Sequence, residues 1–338
     1  MTLWLVRAGK HGERENYALE NSLAVIGWDE VPDLAGIKAR QDLLGVLQKV
    51  YPNHKEKTLR NWESQLWAFA RRIQPGDLVA MPLKSRSAIV VGRVKGDYVY
   101  KGDNPDGARH QREVIWEGEF PRSQFGQDLL YSLGAAMTVC QIERNDAKAR
   151  IKNILAGKKD SPVKFPEMPS DESGEETAFD IEQYARDQIV KYINSKFKGH
   201  GLQRVVGAIL QAQGYTIKIA PDGPDGGVDI IAGRGPLGFE PPRLAVQVKS
   251  SDSPVDVSVL RELQGVMSAF GADLGLVVAW GGYRGSVEKE ATRQFFKIRL
   301  WDSNDLVSMI QTYYEQLPDE MQAELPLKRI WALVPEEE

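Results

Sequence analysis

One segment of the chain constrains its fold more than any other. Residues 158–180, KKDSPVKFPEMPSDESGEETAFD, contain three prolines and several Ser and Glu but few large apolar residues, and such a composition cannot bury a hydrophobic core. The sequence on either side of this segment is long enough for a domain of ordinary size. We therefore predict two domains, at residues 1–157 and 181–338, joined by a flexible acidic linker at residues 158–180.

The region before the linker has the pattern of a small α+β domain. Its β-like runs are LWLVRAG, LAVIGW, GDLVAMPL, AIVVGRV and REVIWEGEF. Helical patterns near residues 36–50 and 58–73 interrupt these runs, and the second pattern predicts a helix N-cap at Thr58. Several short strands around one or two helices predict a β-barrel-like α+β fold.

The region after the linker has a different pattern. The stretch HGLQRVVGAILQAQGY places its apolar residues on one helical face and predicts a helix that ends at Gly214. The later patterns predict strands at residues 215–220, 228–232 and 243–250, a helix near 257–270, a strand at LGLVVAW, a helix near 285–296, a strand at IRLWD and a last helix from about 303. This order predicts an α/β domain in which helices flank a mixed sheet.

The composition limits the classes of protein to which the chain can belong. No apolar run approaches the roughly 20 residues that a membrane helix needs, and the four histidines show no zinc-ligand spacing. The single cysteine, Cys140, excludes an intrachain disulfide and is typical of the cytoplasm. The net charge of −4 means that any binding to nucleic acid must depend on local basic patches.

A glycine-rich motif between two predicted strands does not indicate nucleotide binding. Gly233, Gly235 and Gly238 in GRGPLG satisfy the spacing G-x-G-x-x-G, but FEPPR follows where a dinucleotide site needs a helix. We therefore predict a hairpin loop at this position.

Three polar side chains of the second domain are expected to converge. The alternation in LAVQVKSS places Gln247 and Lys249 on one face of a strand, and Asp229 begins the preceding strand after DGPDGG. Phosphodiester hydrolysis uses such groups, because a carboxylate can hold Mg²⁺ and a lysine can polarise the attacking water. Taken singly, the aspartate is explained by turn hydrogen bonds and the lysine by solvation, but their spacing together favours a site.

The same motifs resemble a known family. GPDGGVDIIAG and LAVQVKS, preceded by a helix ending QGY and followed by LRELQGVM, resemble the Mrr-type restriction endonuclease domain of the PD-(D/E)XK superfamily, in its QxK variant, over roughly residues 185–315. The resemblance implies that Asp229 and Gln247 bind Mg²⁺ or Mn²⁺ and that Lys249 is the catalytic lysine. It also matches Asp225 to an acid of the turn, and it places Gln203 where the family usually has a glutamate.

The first domain resembles, more loosely, the PUA-like superfamily of EVE and YTH-type domains, through LWLVRAG, LAVIGW and GDLVAMPL with AIVVGRVKGDYVY. The resemblance implies a small barrel whose pocket holds a flipped, often modified, base of DNA or RNA. Trp28 is the candidate for the wall of this pocket, because aromatic rings stack on bases, although core packing explains Trp28 equally well. Arg7 is a candidate contact to phosphate or base.

Together the two resemblances predict a modification-dependent DNA endonuclease of the type IV-like restriction kind, which would defend the cell against foreign DNA such as that of phages. Its partner would be double-stranded DNA with a modified base, and cutting both strands would need two active sites, so we expect a homodimer. Two alternatives stay open: a protein that binds modified nucleic acid through a weak or inactive nuclease fold, and a structure-specific repair nuclease.

Overall fold

The computed structural model describes residues 1–105, 107–135, 137–158, 160, 181–221 and 227–331. The chain divides between Tyr184 and Ala185 into two compact units, here called the N-terminal unit and the C-terminal unit. Most of the predicted linker, residues 161–180, falls outside the described ranges. Within those ranges, no helix is both long enough and apolar enough to cross a membrane.

The N-terminal unit is built on one six-stranded sheet. Its elements are β1 (Leu3–Val6), α1 (Glu15–Glu20), β2 (Leu23–Ile26), α2 (Arg40–Val50), α3 (Glu56–Trp67), β3 (Leu78–Pro82), β4 (Ala88–Tyr100), β5 (His110–Pro121), α4 (Gln127–Ser132), β6 (Val139–Gln141) and α5 (Ala147–Leu155). The strand order is β2-β5-β4-β3-β1-β6, with β1 parallel to β3 and the other pairs antiparallel. All five predicted strands are present.

The sheet of the N-terminal unit is open. The strand pairings among the described residues leave β2 and β6 as edges, so the predicted β-barrel is not found there. A short β6 that pairs with only one neighbour, β1, was not predicted, nor was the parallel pairing of β1 with β3. The sequence patterns indicated strands but not the order in which they pair, and it is the order that decides whether a sheet closes.

The predicted cap at Thr58 is wrong. Helix α3 begins at Glu56 after Lys55, and Thr58 lies inside its first turn, where it is buried. A glutamate in the first turn interacts favourably with the positive end of the helix dipole, which explains the earlier start. At its other end α3 continues into a π-helix, Ala68–Arg72, whose carbonyl groups accept hydrogen bonds from the buried guanidinium of Arg112.

The first residues of the predicted linker include one that packs on the N-terminal unit. The buried guanidinium of Arg150 donates to the carboxylates of Asp128 and Asp160, with nitrogen to oxygen distances of 2.5 to 3.0 Å. Asp160 also accepts from the backbone N–H of Gly126 at 2.6 Å. Asp160, which falls within the predicted linker, therefore packs on the N-terminal unit.

The C-terminal unit is a mixed sheet between helices. From α6 (Ile181–Lys196) onward the elements are α7 (His200–Ala212), β7 (Thr216–Ile219), β8 (Ile230–Arg234), β9 (Glu240–Lys249), α8 (Ser258–Phe270), β10 (Leu274–Ala279), α9 (Gly285–Arg293), β11 (Ile298–Trp301), α10 (Ser303–Tyr313) and α11 (Asp319–Glu324). The strand order is β11-β10-β9-β8-β7, with β9, β10 and β11 parallel and β7 and β8 antiparallel to their neighbours. The predicted α/β architecture is confirmed.

Strand β9 contributes to the core on both sides of this sheet. Leu244, Val246 and Val248 pack in a cluster with α7 and α10, whereas Ala245 packs on the opposite side with α8. The predicted alternation is therefore correct, and it places Gln247 and Lys249 on the side of α8. Because one residue of slip would turn Gln247 and Lys249 into the apolar cluster with α7 and α10, the difference between the two faces fixes the register of β9.

The predicted hairpin loop is also confirmed. Strands β8 and β9 pair antiparallel, and the glycine motif lies in the turn that joins them. A Cβ atom at Gly233 would lie 1.9 Å from the carbonyl oxygen of Gly238, so the close approach of the two backbones requires glycine at this position. The hairpin brings Asp229, just before β8, beside the C-terminal half of β9.

Candidate active site

Asp229 is held in a fixed orientation at the start of β8. Its backbone N–H donates to Val246 O at 3.0 Å. Its side chain, 9% exposed, accepts from the backbone N–H of Val248 at Oδ2 and from Gln203 Nε2 at Oδ1, both at 2.6 Å. Hydrogen bonds to a carboxylate are among the stronger ones in proteins. Asp229 is therefore positioned by β9 and by helix α7 together.

Gln247 and Lys249 meet on the neighbouring strand. The amide of Gln247 satisfies its hydrogen bonds when its oxygen accepts from Lys249 Nζ at 3.2 Å and its nitrogen donates to Val259 O at 3.3 Å. Gln247 is buried and Lys249 is half-buried. The alternation predicted from the sequence thus corresponds to a direct contact, which orients the ammonium group of Lys249.

Gln203 contacts the acid, as its position in the family pattern implies. Its amide nitrogen is bonded to Asp229, but its Oε1 is buried and has no hydrogen-bond partner among the described residues. A buried acceptor without a donor costs about 1–3 kcal/mol. An unpartnered acceptor beside an acid is a feature expected of a site that binds a ligand or a cation.

One further acid belongs to this neighbourhood and was not predicted. Glu262 in α8 is exposed, and its Oε2 lies 3.5 Å from the terminal amide atom of Gln247 that faces Lys249. Glu262 lies in the motif LRELQGVM, but the sequence pattern offers no reason to single it out, because a glutamate at the rim of an amphipathic helix is normally solvated. Asp225, the other acid of the turn, lies outside the part of the chain that the structure describes, and its role stays a prediction.

The oxygen donors at this site are few. Among the described residues no three His, Cys, Asp or Glu side chains come close enough together to hold a metal ion. The oxygen donors near this end of β9 are the carboxylate of Asp229, which Gln203 contacts, and the amide oxygen of Gln247, which contacts Lys249. Hard oxygen donors of this kind suit Mg²⁺ or Mn²⁺ and not zinc.

In the N-terminal unit Trp28 belongs to an aromatic cluster. Its ring packs edge-on against that of Trp62, with 6.3 Å between centroids, and Trp62 also contacts Tyr51 and His54 at 5.0 and 4.8 Å. Trp28, Tyr51 and Trp62 are half-buried, and His54 is exposed. This cluster borders the core and retains accessible aromatic surface.

The backbone at Trp28 is strained. Its φ of 65° lies in the left-handed region, which costs a bulky residue about 1–3 kcal/mol. The carbonyl oxygen of Trp28 accepts from Val31 N at 2.9 Å and lies 3.2 Å from His110 Nε2. The next residue, Asp29, accepts from Gly107 N at Oδ2, whereas its buried Oδ1 has no hydrogen-bond partner among the described residues.

The predicted contact of Arg7 stays a prediction. Arg7 is buried, and its guanidinium donates to Ala135 O from Nε and Nη2, at 3.0 and 2.7 Å. Two basic residues of β4 and one just before it are also engaged, since three ion pairs join them to glutamates of β5. These pairs are Arg86 with Glu119, Arg93 with Glu117, and Lys95 with Glu113.

The segment that carries Asp229, Gln247 and Lys249 has known relatives. A family model of Mrr catalytic domains, described as a restriction endonuclease, matches residues 194–310. The C-terminal unit contains a restriction endonuclease domain. Residues 4–133 match a second family, described as a domain of unknown function, DUF8426, so the resemblance of the N-terminal unit to PUA-like proteins is not confirmed. No curated relative matches the chain.

Two solved structures are similar to the chain over most of its length. One is the DNA modification-dependent restriction endonuclease AspBHI, at 16% identity and a TM-score of 0.34 over 79% of this chain and 72% of that one. The other is the MspJI restriction endonuclease in complex with a 27-mer oligonucleotide, at 14% identity and a TM-score of 0.30 over 81% and 69%. At such low TM-scores neither superposition carries an argument, and the assignment rests on the family match.

Proposed function

We propose that the protein is a metal-dependent DNA endonuclease whose C-terminal unit hydrolyses phosphodiester bonds and whose N-terminal unit binds a modified base. The observation that supports the first half of this proposal is that Asp229 accepts from the backbone N–H of Val248, which lies between Gln247 and Lys249 on β9, within the segment that matches the restriction endonuclease family. Cleavage limited to modified DNA would serve restriction of foreign DNA, including phage DNA, in the cytoplasm.

The residues of this site fit a divalent cation. Asp229 and Gln247 would hold it, and the buried, unpartnered Oε1 of Gln203 lies on a side chain that contacts the same acid. When bound, Mg²⁺ or Mn²⁺ would supply Lewis-acid stabilisation of the charge that develops on the phosphate.

The chain's own groups have separate tasks in the proposed reaction. The N–H of Val248 and the amide of Gln203 keep the carboxylate of Asp229 in one orientation. The amide oxygen of Gln247 directs the ammonium group of Lys249, which can donate to the attacking water or to a phosphate oxygen. As the water oxygen bonds to phosphorus, the bond between phosphorus and one sugar oxygen breaks; the attacking water loses a proton to solvent, and the leaving sugar oxygen gains one from solvent. Cleavage of both strands would require a second copy of the site, and we propose a homodimer for that reason.

The nuclease proposal is tested by cleavage of one plasmid prepared unmodified, with methylated adenine, with methylated cytosine and with hydroxymethylated cytosine. Wild type and Lys249→Ala are compared in Mg²⁺, in Mn²⁺ and in chelator. We expect cation-dependent cleavage of one modified form and none by the variant. Selective binding without cleavage would instead support an inactive nuclease fold, and preferential cleavage of branched, unmodified DNA would support a structure-specific repair nuclease.

The aromatic cluster of Trp28, Tyr51, His54 and Trp62 supports the proposal of base binding. Every base has a π face, so an accessible aromatic ring can stack on a base turned out of its helix. Trp28 has a φ of 65°, a conformation that lowers the stability of the fold, and such strain is typical of functional sites. A methyl group on the base adds apolar area that aromatic walls favour.

Asp29 supports the same proposal. Its Oδ1 is buried without a donor, next in sequence to Trp28. The exocyclic amino groups of adenine and cytosine are donors that such an acceptor can read. Because both units belong to one chain, binding by the N-terminal unit would raise the effective concentration of the nuclease at the DNA.

Base binding is tested on the full chain carrying Lys249→Ala, so that the DNA stays intact. Trp28→Ala and Asp29→Asn are added separately, and binding to modified and unmodified duplexes is measured by fluorescence anisotropy. We expect Trp28→Ala to reduce affinity for the modified duplex about 5- to 150-fold, because loss of one base–aromatic stack costs about 1–3 kcal/mol. Asp29→Asn should also reduce this affinity, because the amide introduces a donor where the carboxylate offered only acceptors. Trp331→Ala is the matched control, since Trp331 is 99% exposed and lies in the C-terminal unit. Unchanged binding by both variants would refute this half of the proposal.

A further inference from the structure

Two neighbours of Gln247 favour opposite orientations of its side-chain amide. The amide atom that lies 3.2 Å from Lys249 Nζ is also 3.5 Å from Glu262 Oε2. A lysine ammonium needs an acceptor there, whereas a carboxylate needs a donor. The oxygen satisfies Lys249 and leaves the nitrogen to donate to Val259 O, so two oxygen atoms with no proton between them face each other.

A cation bound between these two oxygen atoms would remove the repulsion between them. The carboxylate of Glu262 has no ion pair with any described Lys, Arg or His side chain, and it is exposed. Positive charge placed against both the amide oxygen of Gln247 and the carboxylate of Glu262 turns their repulsion into attraction. The alternative orientation of the amide would place its NH₂ against the ammonium group of Lys249. Two donors would then face each other, which is also unfavourable.

The local charges point in the same direction. Among the described residues Asp229, Gln247 and Gln203, a divalent cation would meet the single negative charge of Asp229, since Gln203 and Gln247 are neutral amides. Glu262 provides a second carboxylate on the same side of the sheet, from α8 and not from a strand. Helix α8 is anchored there by the buried residues Val259, Leu260, Leu263 and Met267, and by the hydrogen bond from Gln247 to Val259 O.

We infer that Glu262 is a second carboxylate ligand of the divalent cation, supplied by helix α8. The inference rests on the proposed function, because the cation it describes is the one that the nuclease would use. It adds to the carboxylate of Asp229 a second acid, which comes from the helix between β9 and β10.

The test measures cation binding directly, by isothermal titration calorimetry of Mn²⁺ into the full chain without DNA. Wild type, Asp229→Asn and Glu262→Gln are compared with Glu288→Gln, which removes one charge from an exposed residue of α9. We expect Glu262→Gln to weaken Mn²⁺ binding about 10- to 100-fold, with no change in Glu288→Gln and with an unchanged circular dichroism spectrum. Plasmid cleavage is measured in parallel.

The outcomes separate the inference from the proposed function. If wild type binds Mn²⁺ and cleaves DNA while Glu262→Gln binds Mn²⁺ as tightly as wild type, Glu262 is not a ligand, and the proposed function stands. Equal weakening in Glu262→Gln and Glu288→Gln would reduce the effect to net charge and would also overturn the inference. If wild type neither binds Mn²⁺ nor cleaves any DNA, both fail.

Discussion

Gln203 donates its side-chain amide to Oδ1 of Asp229 over 2.6 Å, from helix α7 to the start of strand β8. The amide nitrogen is a donor, whereas a glutamate at the same place would offer only acceptors at neutral pH. The pair therefore combines one charged and one neutral residue. The amide of Gln203 stabilises the carboxylate of Asp229 without a cation. Two carboxylates at this distance would need a cation between them to offset their repulsion.

Replacing this amide by an acid tests the relationship. In Gln203→Glu two carboxylates face each other, so without a cation the folded chain loses a charge-assisted hydrogen bond and gains repulsion. We expect the free energy of unfolding in chelator to fall by about 1.5–3 kcal/mol, and more at pH 8 than at pH 5, where the two acids can share a proton. Saturating Mn²⁺ should stabilise the variant more than wild type. Thermal and urea unfolding with and without Mn²⁺ measure both effects.

The control for this substitution is Gln211→Glu, at an exposed position of the same helix. It adds the same charge to α7 away from Asp229. Equal unfolding free energies of the two variants in chelator would show that the contact between Gln203 and Asp229 contributes nothing to stability.

The strands of the C-terminal unit could be predicted because their patterns are local. The period of two in β9 assigns Val246 and Val248 to one face and Gln247 and Lys249 to the other, and the structure has the same faces. The hairpin followed from glycines with no helix after them. These features depend on neighbours in sequence, which a pattern records.

The features that were missed depend on residues far apart in the chain. Glu262 comes close to Gln247 only because α8 crosses back over the sheet between two parallel strands, β9 and β10. The open order of the N-terminal sheet likewise depends on pairing β1 with β3, which are separated by the helices α2 and α3. Periodicity identifies elements and their buried faces but not these long-range partners.

Lys249 allows a prediction that separates charge from shape. Lys249→Arg keeps the positive charge, but the planar guanidinium cannot reproduce the single contact of Nζ with the Gln247 oxygen. We expect cleavage to fall about 10²–10⁴-fold while DNA binding and the melting temperature stay near those of wild type. Single-turnover cleavage and fluorescence anisotropy measure the two quantities. Activity within a few-fold of wild type would mean that only the charge of Lys249 matters.

The environment of His110 leads to a prediction of how the stability of the N-terminal unit changes at low pH. Its ring is fully buried, with Nδ1 2.7 Å from the hydroxyl of Tyr98 and Nε2 3.2 Å from the carbonyl oxygen of Trp28. Burial lowers the pKa of His110 from its ordinary 6.5, and this effect outweighs the backbone hydrogen bonds and the carboxylates of Asp29 and Asp33, which raise the pKa.

The sign of the pH dependence follows from this lowered pKa. Below about pH 6.5 His110 is protonated in the unfolded chain but stays neutral in the folded chain. The free energy of unfolding therefore decreases as the pH falls from about 6.5 towards the lowered pKa of His110 in the folded chain. Above about pH 6.5 this group contributes no pH dependence. Urea unfolding of wild type and His110→Gln between pH 5 and 8, followed by tryptophan fluorescence, should show a shallower dependence in the variant. Parallel curves would contradict the prediction.

The contacts of Asp160 lead us to predict that the N-terminal unit extends at least to this residue. Its carboxylate accepts from the buried guanidinium of Arg150 at 2.7 and 2.5 Å and from Gly126 N at 2.6 Å. In Asp160→Ala, Arg150 keeps its bonds to Asp128 but loses those to Asp160, and Gly126 N loses its acceptor. Hydrogen bonds to charged groups contribute about 1.5–3 kcal/mol each, so the substitution should destabilise this unit. Lys158→Ala, at an exposed position two residues earlier, should change stability little. Calorimetric melting of the full chain measures both, and similar melting temperatures for the two variants would mean that the linker already begins before Asp160.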